Sequence, residues 1–237
     1  MIVVFGDLLL DVSVRMRRFP LDAGAMQHAS RFDLGPGGAG NVAIACARFG
    51  LPVAALGEIG GDSSGEIVRR GLAAEGVDTS GLEVTPGAAT PVAVVFVDDS
   101  GQPSYVGYPG TLRLRELLRE WGTLVDHSRA AFADGWAEHN HAAEMVVEFL
   151  ARARANGVPT FFDPGPGNPS LDNTWHTRAL AEATVALVNE GEACRLAGLS
   201  DPLEAGRTLL GVGPRLVVLK RGREGCVAFR GEEMQVS

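Results

Sequence analysis

Long apolar runs, cysteine and excess positive charge are all scarce in this sequence of 237 residues. No apolar run approaches the ~20 residues that a membrane-spanning helix needs. Residues 1–7 lack the basic start and long apolar stretch of a signal peptide. The cysteines are odd in number and form no C-x-x-C pair, which argues against a disulfide framework or a zinc site: Cys46, Cys194 and Cys226. We therefore expect a soluble, cytoplasmic protein with reduced thiols.

The net charge of −8 excludes further classes of partner. Nucleic acids and anionic membranes both bind to basic surfaces, so we expect neither as a partner. A phosphate site is still compatible with this charge, because a local nest of backbone N–H groups can hold an anion inside an acidic protein.

Short apolar runs alternate with helical patterns along most of the chain. Strands are predicted at residues 2–5, 53–59, 130–133, 160–162, 185–188 and 215–220. Helices are predicted at residues 41–49, 63–75, 142–156 and 203–210. Strands that alternate with helices form right-handed crossovers and a mostly parallel sheet with both faces covered. The pattern predicts one three-layer α/β domain over residues 1–237.

Two segments interrupt this alternation. Residues 16–32 look irregular, with room for short strands. Residues 90–106 look like a hairpin, because a β-branched run at 91–97 is followed by a turn at 98–101 and a second strand that restarts near Tyr105. Together they predict a small separate sheet, whose apolar face would need cover from substrate, core or another subunit.

A glycine-rich string, Gly35-Pro-Gly-Gly-Ala-Gly-Asn41, precedes a predicted helix. Glycines let the backbone approach a ligand closely, and a helix N-terminus offers free N–H donors. The string matches a dinucleotide-binding fingerprint, but that fingerprint should follow the first strand of a βαβ unit. Here the first strand continues into Gly6-Asp7, so we reject that interpretation. A glycine-rich turn with an asparagine cap also explains the string.

A second glycine string, Gly57-Glu-Ile-Gly-Gly-Asp62-Ser-Ser-Gly65, spans the end of a predicted strand and the start of a helix. Asp62 lies just before that helix, where a carboxylate suits the positive end of the helix dipole. Taken alone, the string favours a helix cap over a ligand site.

Polar groups follow three of the predicted strands. Asp11 comes six residues after the first strand, Asn189-Glu-Gly-Glu192 follows residues 185–188, and Lys220-Arg-Gly-Arg-Glu-Gly225 follows residues 215–220. Open α/β sheets bind ligands at the carboxyl ends of their strands. A carboxylate there can accept hydrogen bonds from a diol or hold Mg²⁺ through water, and basic groups with glycines suit phosphate. A solvated loop aspartate, a helix cap at Asn189 and a hairpin turn are the alternative explanations.

The order of these motifs resembles the ribokinase-like (PfkB) family of sugar kinases. The resemblance rests on Gly6-Asp7 with Asp11, then Gly37-Gly38-x-Gly40-Asn41, Gly57-x-x-Gly60-x-Asp62-x-x-Gly65, Asn189-x-x-Glu192 and Lys220-x-Gly222-x-x-Gly225. It runs from residue 1 to about residue 230. It implies a mostly parallel central sheet between helices and a small β lid, here about 12–34 and 90–108. It also implies ATP-dependent phosphorylation of a hydroxyl of a sugar or sugar acid.

The resemblance assigns roles residue by residue. The substrate-binding set is Asp11, Gly37, Gly38, Asn41, Tyr105 and Asp163. The nucleotide-binding set is Asn189, Lys220, Gly222 and Gly225, and Glu192 is the metal-binding residue. The implied cofactors are ATP and Mg²⁺, with a monovalent cation as an optional further ion. Lys220 departs from the pattern, since the family more often has Thr or Ser at this position.

A larger departure concerns the family's C-terminal Gly-Ala-Gly-Asp signature, which carries the catalytic base and is absent from residues 1–237. The resemblance therefore implies a C-terminally incomplete domain with no catalytic base of its own, the base being an Asp beyond Ser237. It also implies a homodimer through the lid, against the alternative of a lid that closes over its own substrate.

Other functions stay open at this point. Within the same family the alternative is a nucleoside kinase. Outside it, the alternative is a non-catalytic sugar- or nucleotide-binding protein, with a Rossmann dehydrogenase as a third choice.

Overall fold

A computed structural model describes residues 1–101, 103–136, 142–166 and 174–236, which fold into two sheets flanked by helices. The strands are β1 (Ile2–Phe5), β2 (Leu8–Arg15), β3 (Arg31–Gly38), β4 (Val53–Gly60), β5 (Leu82–Thr85), β6 (Val92–Val97), β7 (Pro103–Tyr108), β8 (Ala130–Asp134), β9 (Thr160–Asp163), β10 (Val185–Asn189), β11 (Leu216–Lys220), β12 (Cys226–Arg230) and β13 (Glu233–Val236). The helices are α1 (Ala39–Arg48), α2 (Ser63–Ala74), α3 (Arg119–Asp126), α4 (Ala143–Ala155), α5 (Thr174–Glu182), α6 (Glu190–Ala197) and α7 (Pro202–Thr208). Of the helices described, none combines the length and the apolar character needed to cross a membrane.

The larger sheet has nine strands in the order β13-β12-β11-β10-β9-β8-β1-β4-β5. The pairs β11–β12 and β12–β13 are antiparallel, and the other described pairs are parallel. All six strands predicted from alternation with helices lie in this sheet. Their runs are apolar at consecutive positions because helices cover both faces. This confirms the predicted three-layer α/β fold.

The core on both sides of the sheet is centred on β1. The ring of Phe5 packs against Phe149 of α4 and Trp121 of α3, with ring centroids 5.0 and 5.4 Å apart. The neighbouring residue Val4 belongs to a second buried cluster on the opposite face, together with Leu72 of α2. Consecutive strand residues point to opposite faces of the sheet, so β1 packs against the helices on both sides.

The smaller sheet, which we call the lid, has four strands in the order β3-β2-β6-β7. Strand β2 pairs antiparallel with β3 and parallel with β6. The predicted hairpin forms between β6 and β7, and its turn is closed by a hydrogen bond from the Gly101 N–H to the Asp98 carbonyl, 2.9 Å. The lid strands begin at Leu8 and extend to Gly38, so they include more residues than the predicted segment 12–34.

Two local predictions differ from the structure for the same reason. Asp11, which we expected in a loop after the first strand, lies inside β2. Gly35 to Gly38, for which a glycine-rich turn was the alternative explanation, form the second half of β3. Glycine has little intrinsic preference for strands, but each of these residues is paired with β2, Asp11 opposite Gly35. Pairing between segments decides this conformation, and local sequence does not reveal it.

Candidate active site

A cleft of about 640 Å³ lies between the lid and the carboxyl ends of the central strands. The lid contributes alternate residues from one of its faces, and the body contributes the first turn of α1 and the ends of β8 and β9. The lid side includes Leu9, Asp11, Ser13, Ala93, Val95, Tyr105 and Gly107. The body side includes Asn41, Val42, Phe132, Asp134, Trp136 and Asp163, and Gly38 lies where the lid strand β3 meets α1. Apolar walls with a few converging polar groups are typical of small-molecule sites.

Asp11 and Asn41 meet inside this cleft. The Nδ2 amide of Asn41, in the first turn of α1, donates a hydrogen bond of 3.5 Å to Oδ2 of Asp11. Burial raises the pKa of the Asp11 carboxyl, and the hydrogen bond from Asn41 offsets part of that increase. A half-buried carboxylate beside an amide offers two acceptors and one donor to the hydroxyls of a small ligand.

Gly38 brings β3 into α1 through a backbone conformation that suits glycine. Its φ is +58° and its ψ is −134°, a region that residues with a side chain rarely adopt. A Cβ at this position would also lie 2.1 Å from the carbonyl oxygen of Asp7. That same oxygen accepts a hydrogen bond of 2.9 Å from the N–H of Ala39. The contact holds the start of α1, and with it Asn41, over the end of β1.

Two carboxyl groups, Asp134 and Asp163, lie side by side at the floor of the cleft. They are register partners at the ends of β8 and β9. Asp134 is buried and accepts a hydrogen bond of 3.2 Å from the backbone N–H of Asp7. Burial raises the pKa of Asp134 well above its ordinary value, and the charges of Asp7 and Asp163 raise it further. A raised pKa favours the protonated form, in which a carboxyl group donates a hydrogen bond as well as accepting one.

Lys220 reaches from the end of β11 to Asp163 at the floor of the cleft. Its Nζ lies 2.6 Å from Oδ2 of Asp163, and its register partner in β10 is Asn189. The other oxygen of Asp163 accepts a hydrogen bond of 3.2 Å from the Gly165 N–H. The ammonium group therefore lies at the end of the strands where the sequence predicted phosphate binding.

Asn189 and Glu192 form a capping box at the start of α6. The Glu192 N–H donates to Oδ1 of Asn189, 2.8 Å, and the Asn189 N–H donates to Oε2 of Glu192, 2.7 Å. Burial raises the pKa of Glu192, while the Asn189 N–H and the charges of Lys220 and Arg195 partly offset this. The helix-cap explanation is therefore correct for the local structure, although Glu192 keeps a second carboxylate oxygen.

Gly222 and Gly225 form the turn between β11 and β12. Their φ angles are +56° and +80°, and the turn is closed by a 2.9 Å hydrogen bond from the Arg221 N–H to the Gly225 carbonyl. Arg221 itself pairs with Glu190 at 2.9 Å and Glu224 at 2.7 Å. Glycine readily adopts the positive φ angles that this hairpin turn requires. Lys220 is the last residue of β11 before the turn.

Asp62 of the second glycine string caps α2, as predicted, but it also holds the lid. Its Oδ1 accepts hydrogen bonds from the Gly65 N–H at 2.8 Å and from the Thr90 hydroxyl at 2.7 Å. Its Oδ2 accepts a third, from the Thr90 N–H at 3.0 Å. Thr90 lies two residues before β6, so Asp62 connects the body of the protein to the base of the lid.

Comparison with known proteins agrees with this geometry. The profile of the pfkB family carbohydrate kinases matches residues 1–237. The chain belongs to this family. Mouse ribokinase is 32% identical over 240 residues, which cover 98% of this chain and 72% of that protein. The ATP-dependent ribose-1-phosphate kinase of Halopiger xanaduensis is 30% identical, covering 93% of this chain and 70% of that one. A Methanothermobacter thermautotrophicus nucleoside kinase is 26% identical, covering 99% and 74%.

Solved structures agree with the pfkB-family fold. Arabidopsis thaliana ribokinase complexed with ribose and ATP superposes with a TM-score of 0.81 at 21% identity, covering all of this chain and 77% of that one. Halothermothrix orenii fructokinase gives a TM-score of 0.83 at 20% identity, covering 99% and 84%. Membership of this family confirms the predicted class of enzyme, a phosphotransferase that acts on a sugar hydroxyl.

The cleft of this pfkB-family kinase contains most of the predicted substrate residues. Asp11, Gly38, Asn41, Tyr105 and Asp163 line it, and Gly37 lies directly against Asp11. The predicted nucleotide and metal residues lie together at the ends of β10 and β11. Sequence reasoning missed Ser13, Asp134 and Trp136. Asp134 could have been found, because it directly follows a predicted apolar strand in the same way as Asp163 does.

Proposed function

We propose that this chain transfers the γ-phosphoryl group of ATP to a hydroxyl of a sugar or sugar acid held under the lid. The observation that carries the proposal is that groups suited to hydroxyls and to phosphate lie at the same edge of the sheet. Hydroxyl-binding groups at Asp11 and Asn41 and a phosphate-compatible ammonium at Lys220 all face the ends of neighbouring parallel strands. Phosphoryl transfer depends mainly on such positioning and on charge neutralisation.

The proposed acceptor site uses all six predicted substrate residues. Asp11 and Asn41 bind acceptor hydroxyls, and Gly37 and Gly38 let the backbone pass close to them. Tyr105 covers the acceptor from the lid. Its side chain is 67% exposed beside the cleft and therefore free to pack against a ligand. Asp163 binds the acceptor from the end nearest the nucleotide.

The proposed nucleotide site lies at Asn189, Lys220, Gly222 and Gly225, with Mg²⁺ held by Glu192. Mg²⁺ in kinases is commonly bound by one or two carboxylates plus substrate phosphates and water, and the buried Glu192 fits that mode. When bound, Mg²⁺ neutralises charge on the phosphates. Among the residues that the structure describes, no group of three or more His, Cys, Asp or Glu side chains is arranged to hold a metal by itself. The monovalent cation stays a prediction.

We further propose that the base which takes the acceptor's proton is an Asp outside residues 1–237. The supporting argument is elimination among the carboxyl groups described. Asp11 contacts Asn41, Asp62 is held by Thr90 and Glu192 accepts the Asn189 N–H. Burial raises the pKa of Asp134, which makes it a poor base at neutral pH. Asp163, which contacts Lys220 in the absence of ligands, is the remaining substitute within residues 1–237. Robust ATP-dependent phosphorylation by residues 1–237 that Asp163→Asn abolishes would instead assign the base to Asp163.

A nucleoside kinase is the second candidate, and one observation favours it. Two exposed aromatic side chains lie on opposite walls of the cleft, Tyr105 on the lid and Trp136 on the body, the latter 42% exposed. A planar base can stack on such surfaces. A relative of this chain, the Methanothermobacter enzyme, bears the name nucleoside kinase.

We also propose a homodimer in which the lid's outer face packs against a second copy. All four strands place apolar side chains on the face away from the cleft, with the polar Ser104 among them: Val12, Val14, Phe32, Leu34, Val94, Phe96, Val106 and Tyr108. Phe32 is 61% exposed and Val106 is 58% exposed. Phe19 stacks on Phe96 at 5.2 Å and covers one end of this face. An exposed apolar patch of this kind is typical of a protein interface.

We place the protein in the cytoplasm on the sequence evidence already given.

Calorimetric titration tests the central proposal. The protein is titrated with the Mg²⁺ complex of a non-hydrolysable ATP analogue, and separately with ribose, fructose, gluconate and adenosine. We expect the analogue to bind and at least one sugar or sugar acid to bind more tightly in its presence. Preference for adenosine over every sugar would favour the nucleoside kinase. Preferential binding of NADH over the ATP analogue would overturn the kinase proposal. Binding without turnover in every natural form of the protein would favour a non-catalytic binder.

A further inference from the structure

The ion pair between Lys220 and Asp163 spans two strands that are not neighbours. Asp163 ends β9, Lys220 ends β11, and β10 lies between them. Strands are spaced by about 4.8 Å, so the two backbones are separated by roughly 10 Å. The lysine side chain therefore extends over the end of β10 to place Nζ 2.6 Å from Oδ2 of Asp163.

In this ion pair, each residue blocks the charged group with which the other would bind a ligand. Lys220 carries the cation proposed for the nucleotide phosphates, and it is the only lysine in the sequence. Asp163 carries the carboxylate proposed for the acceptor, and its other oxygen already accepts the Gly165 N–H. Without ligands, the pair holds both binding groups together in one contact.

The surroundings allow the ammonium to move. The side chains of Lys220 and Asp163 are 43% and 27% exposed, so water can solvate both groups during an exchange. The neighbouring cation Arg221 is held by Glu190 and Glu224, and Arg195 donates from its guanidinium to the Gly165 carbonyl at 2.9 Å. Lys220, by contrast, is paired with a residue that is itself a proposed ligand-binding group.

We propose that nucleotide binding exchanges this ion pair: the Lys220 ammonium moves from Asp163 to the phosphates, which frees the Asp163 carboxylate for the acceptor hydroxyl. The inference rests on the proposed function and adds a coupling between its two substrates. Each ligand removes a competitor of the other, so nucleotide and acceptor bind cooperatively. A partly exposed ion pair is worth little, and we expect a coupling of roughly threefold to fivefold.

The exchange makes a prediction about nucleotide affinity that a purely structural role of the ion pair does not make. Removing the Asp163 charge should strengthen nucleotide binding, because Lys220 is then no longer held away from the phosphates. A purely structural role for the pair predicts the opposite, since losing a stabilising contact would loosen the site. Direct repulsion between Asp163 and the phosphates would also strengthen binding, but that effect would not require Lys220.

A double-mutant cycle separates these explanations. The Mg²⁺ complex of adenylyl imidodiphosphate is titrated into the unaltered protein, Asp163→Asn, Lys220→Met and the double variant. We expect Asp163→Asn to bind roughly threefold to fivefold more tightly and Lys220→Met roughly tenfold more weakly. In the Lys220→Met background, Asp163→Asn should bring no gain. Arg69→Met is the control, since it removes one positive charge from a partly exposed ion pair with Glu66 on α2, away from the site, and we expect a change below about twofold.

The outcomes distinguish failure of this inference from failure of the proposed function. Weaker or unchanged binding by folded Asp163→Asn overturns the exchange, and so does an equal gain in the Lys220→Met background. Either result leaves nucleotide binding itself intact. No binding of the analogue by the unaltered protein overturns both proposals. Thermal unfolding of each variant shows whether it is folded.

The single lysine allows an independent measurement. Acetylation of Lys220 by an amine-reactive ester can be followed by peptide mass spectrometry, separately from the α-amino group. The ATP analogue should slow this acetylation at least threefold, whereas adenosine, which lacks phosphates, should not. Equal rates with and without the analogue, at a concentration that saturates the protein, would contradict the exchange.

Discussion

A Cβ atom on Gly37 would lie 2.3 Å from the carboxyl carbon of Asp11. The two residues are on adjacent strands of the lid, and the hydrogen of the glycine leaves the space that the carboxylate occupies. The glycine string that opens α1 therefore has a role beyond turning the chain, since it makes room for a proposed substrate-binding group. This relationship leads to the first prediction.

Gly37→Ala should impair acceptor binding with little loss of stability. The methyl group meets the end of a flexible side chain, which can rotate away, so the fold survives while Asp11 is displaced. We expect roughly tenfold weaker acceptor binding by calorimetry and a melting temperature within a few degrees of the original. Gly35→Ala is the control, because nothing lies within 4 Å of a Cβ there. Equal acceptor affinity of the two variants would contradict the prediction.

Asn41→Ala and Asp11→Asn should each weaken acceptor binding. Losing a hydrogen bond to a charged group costs about 1.5–3 kcal/mol, which corresponds to roughly 10- to 150-fold in affinity. Because the pKa of Asp11 is raised by burial, acceptor binding should decline on acidification at a higher pH than for an ordinary aspartate. Asp11→Asn should remove that pH dependence. Unchanged acceptor affinity in both folded variants would show that the acceptor binds elsewhere.

Asp134→Asn should stabilise the protein at neutral pH. Burial and the neighbouring charge of Asp7 raise the pKa of Asp134 in the folded state, so the unfolded chain releases this proton at lower pH. Stability is therefore lost as pH rises from the unfolded pKa toward the folded one, by up to about 1.4 kcal/mol per pH unit. Urea unfolding at several pH values should show a gain at pH 7 that vanishes near pH 4. The exposed Glu83→Gln is the control, and a gain equal at both pH values would count against this explanation.

Asp62→Ala should cost more than loss of an ordinary helix cap. A cap is worth about 1 kcal/mol, and the Thr90 N–H left without its partner adds about 1–3 kcal/mol, so we expect about 2–4 kcal/mol in urea unfolding. Burial alone would raise the pKa of Asp62, but hydrogen bonds from Thr90 and Gly65 lower it overall. Its contribution to stability is therefore lost as pH falls through that lowered pKa. Asp201→Ala, which removes a cap with one bond of 2.7 Å from the Glu204 N–H, should cost about 1 kcal/mol. Equal costs for the two would show that the contact with Thr90 adds nothing.

Val106→Lys should convert the proposed dimer into a monomer without unfolding it. The side chain points away from the cleft and is already exposed, so a charge is tolerated in the single chain but not in an apolar interface. Light scattering at micromolar concentration should report about half the mass of the unaltered protein. Val84→Lys, at an exposed valine of β5 in the other sheet, should leave the mass unchanged. A monomeric mass for the unaltered protein would end the lid-dimer proposal.

Much of the fold follows from the sequence because parallel strands buried on both faces have a clear signature. The six apolar runs between helical patterns each became a strand of the central sheet. The motif order also identified the family, and with it the class of enzyme. Asp11, Asn41 and Asp163 could be named in advance because they match the family's motifs, and all three line the cleft.

Only the tertiary structure decided how these residues meet. That Gly35 to Gly38 extend β3, that Asp62 holds Thr90 and that Asp134 is buried beside Asp7 all depend on contacts between distant segments. The same is true of the pair between Lys220 and Asp163, whose members are 57 residues apart and on strands that do not touch. Local sequence determines which segments form strands and helices, because periodicity and propensity are local. Which side chains then share a site is set by strand order and register, which depend on pairing across the whole chain.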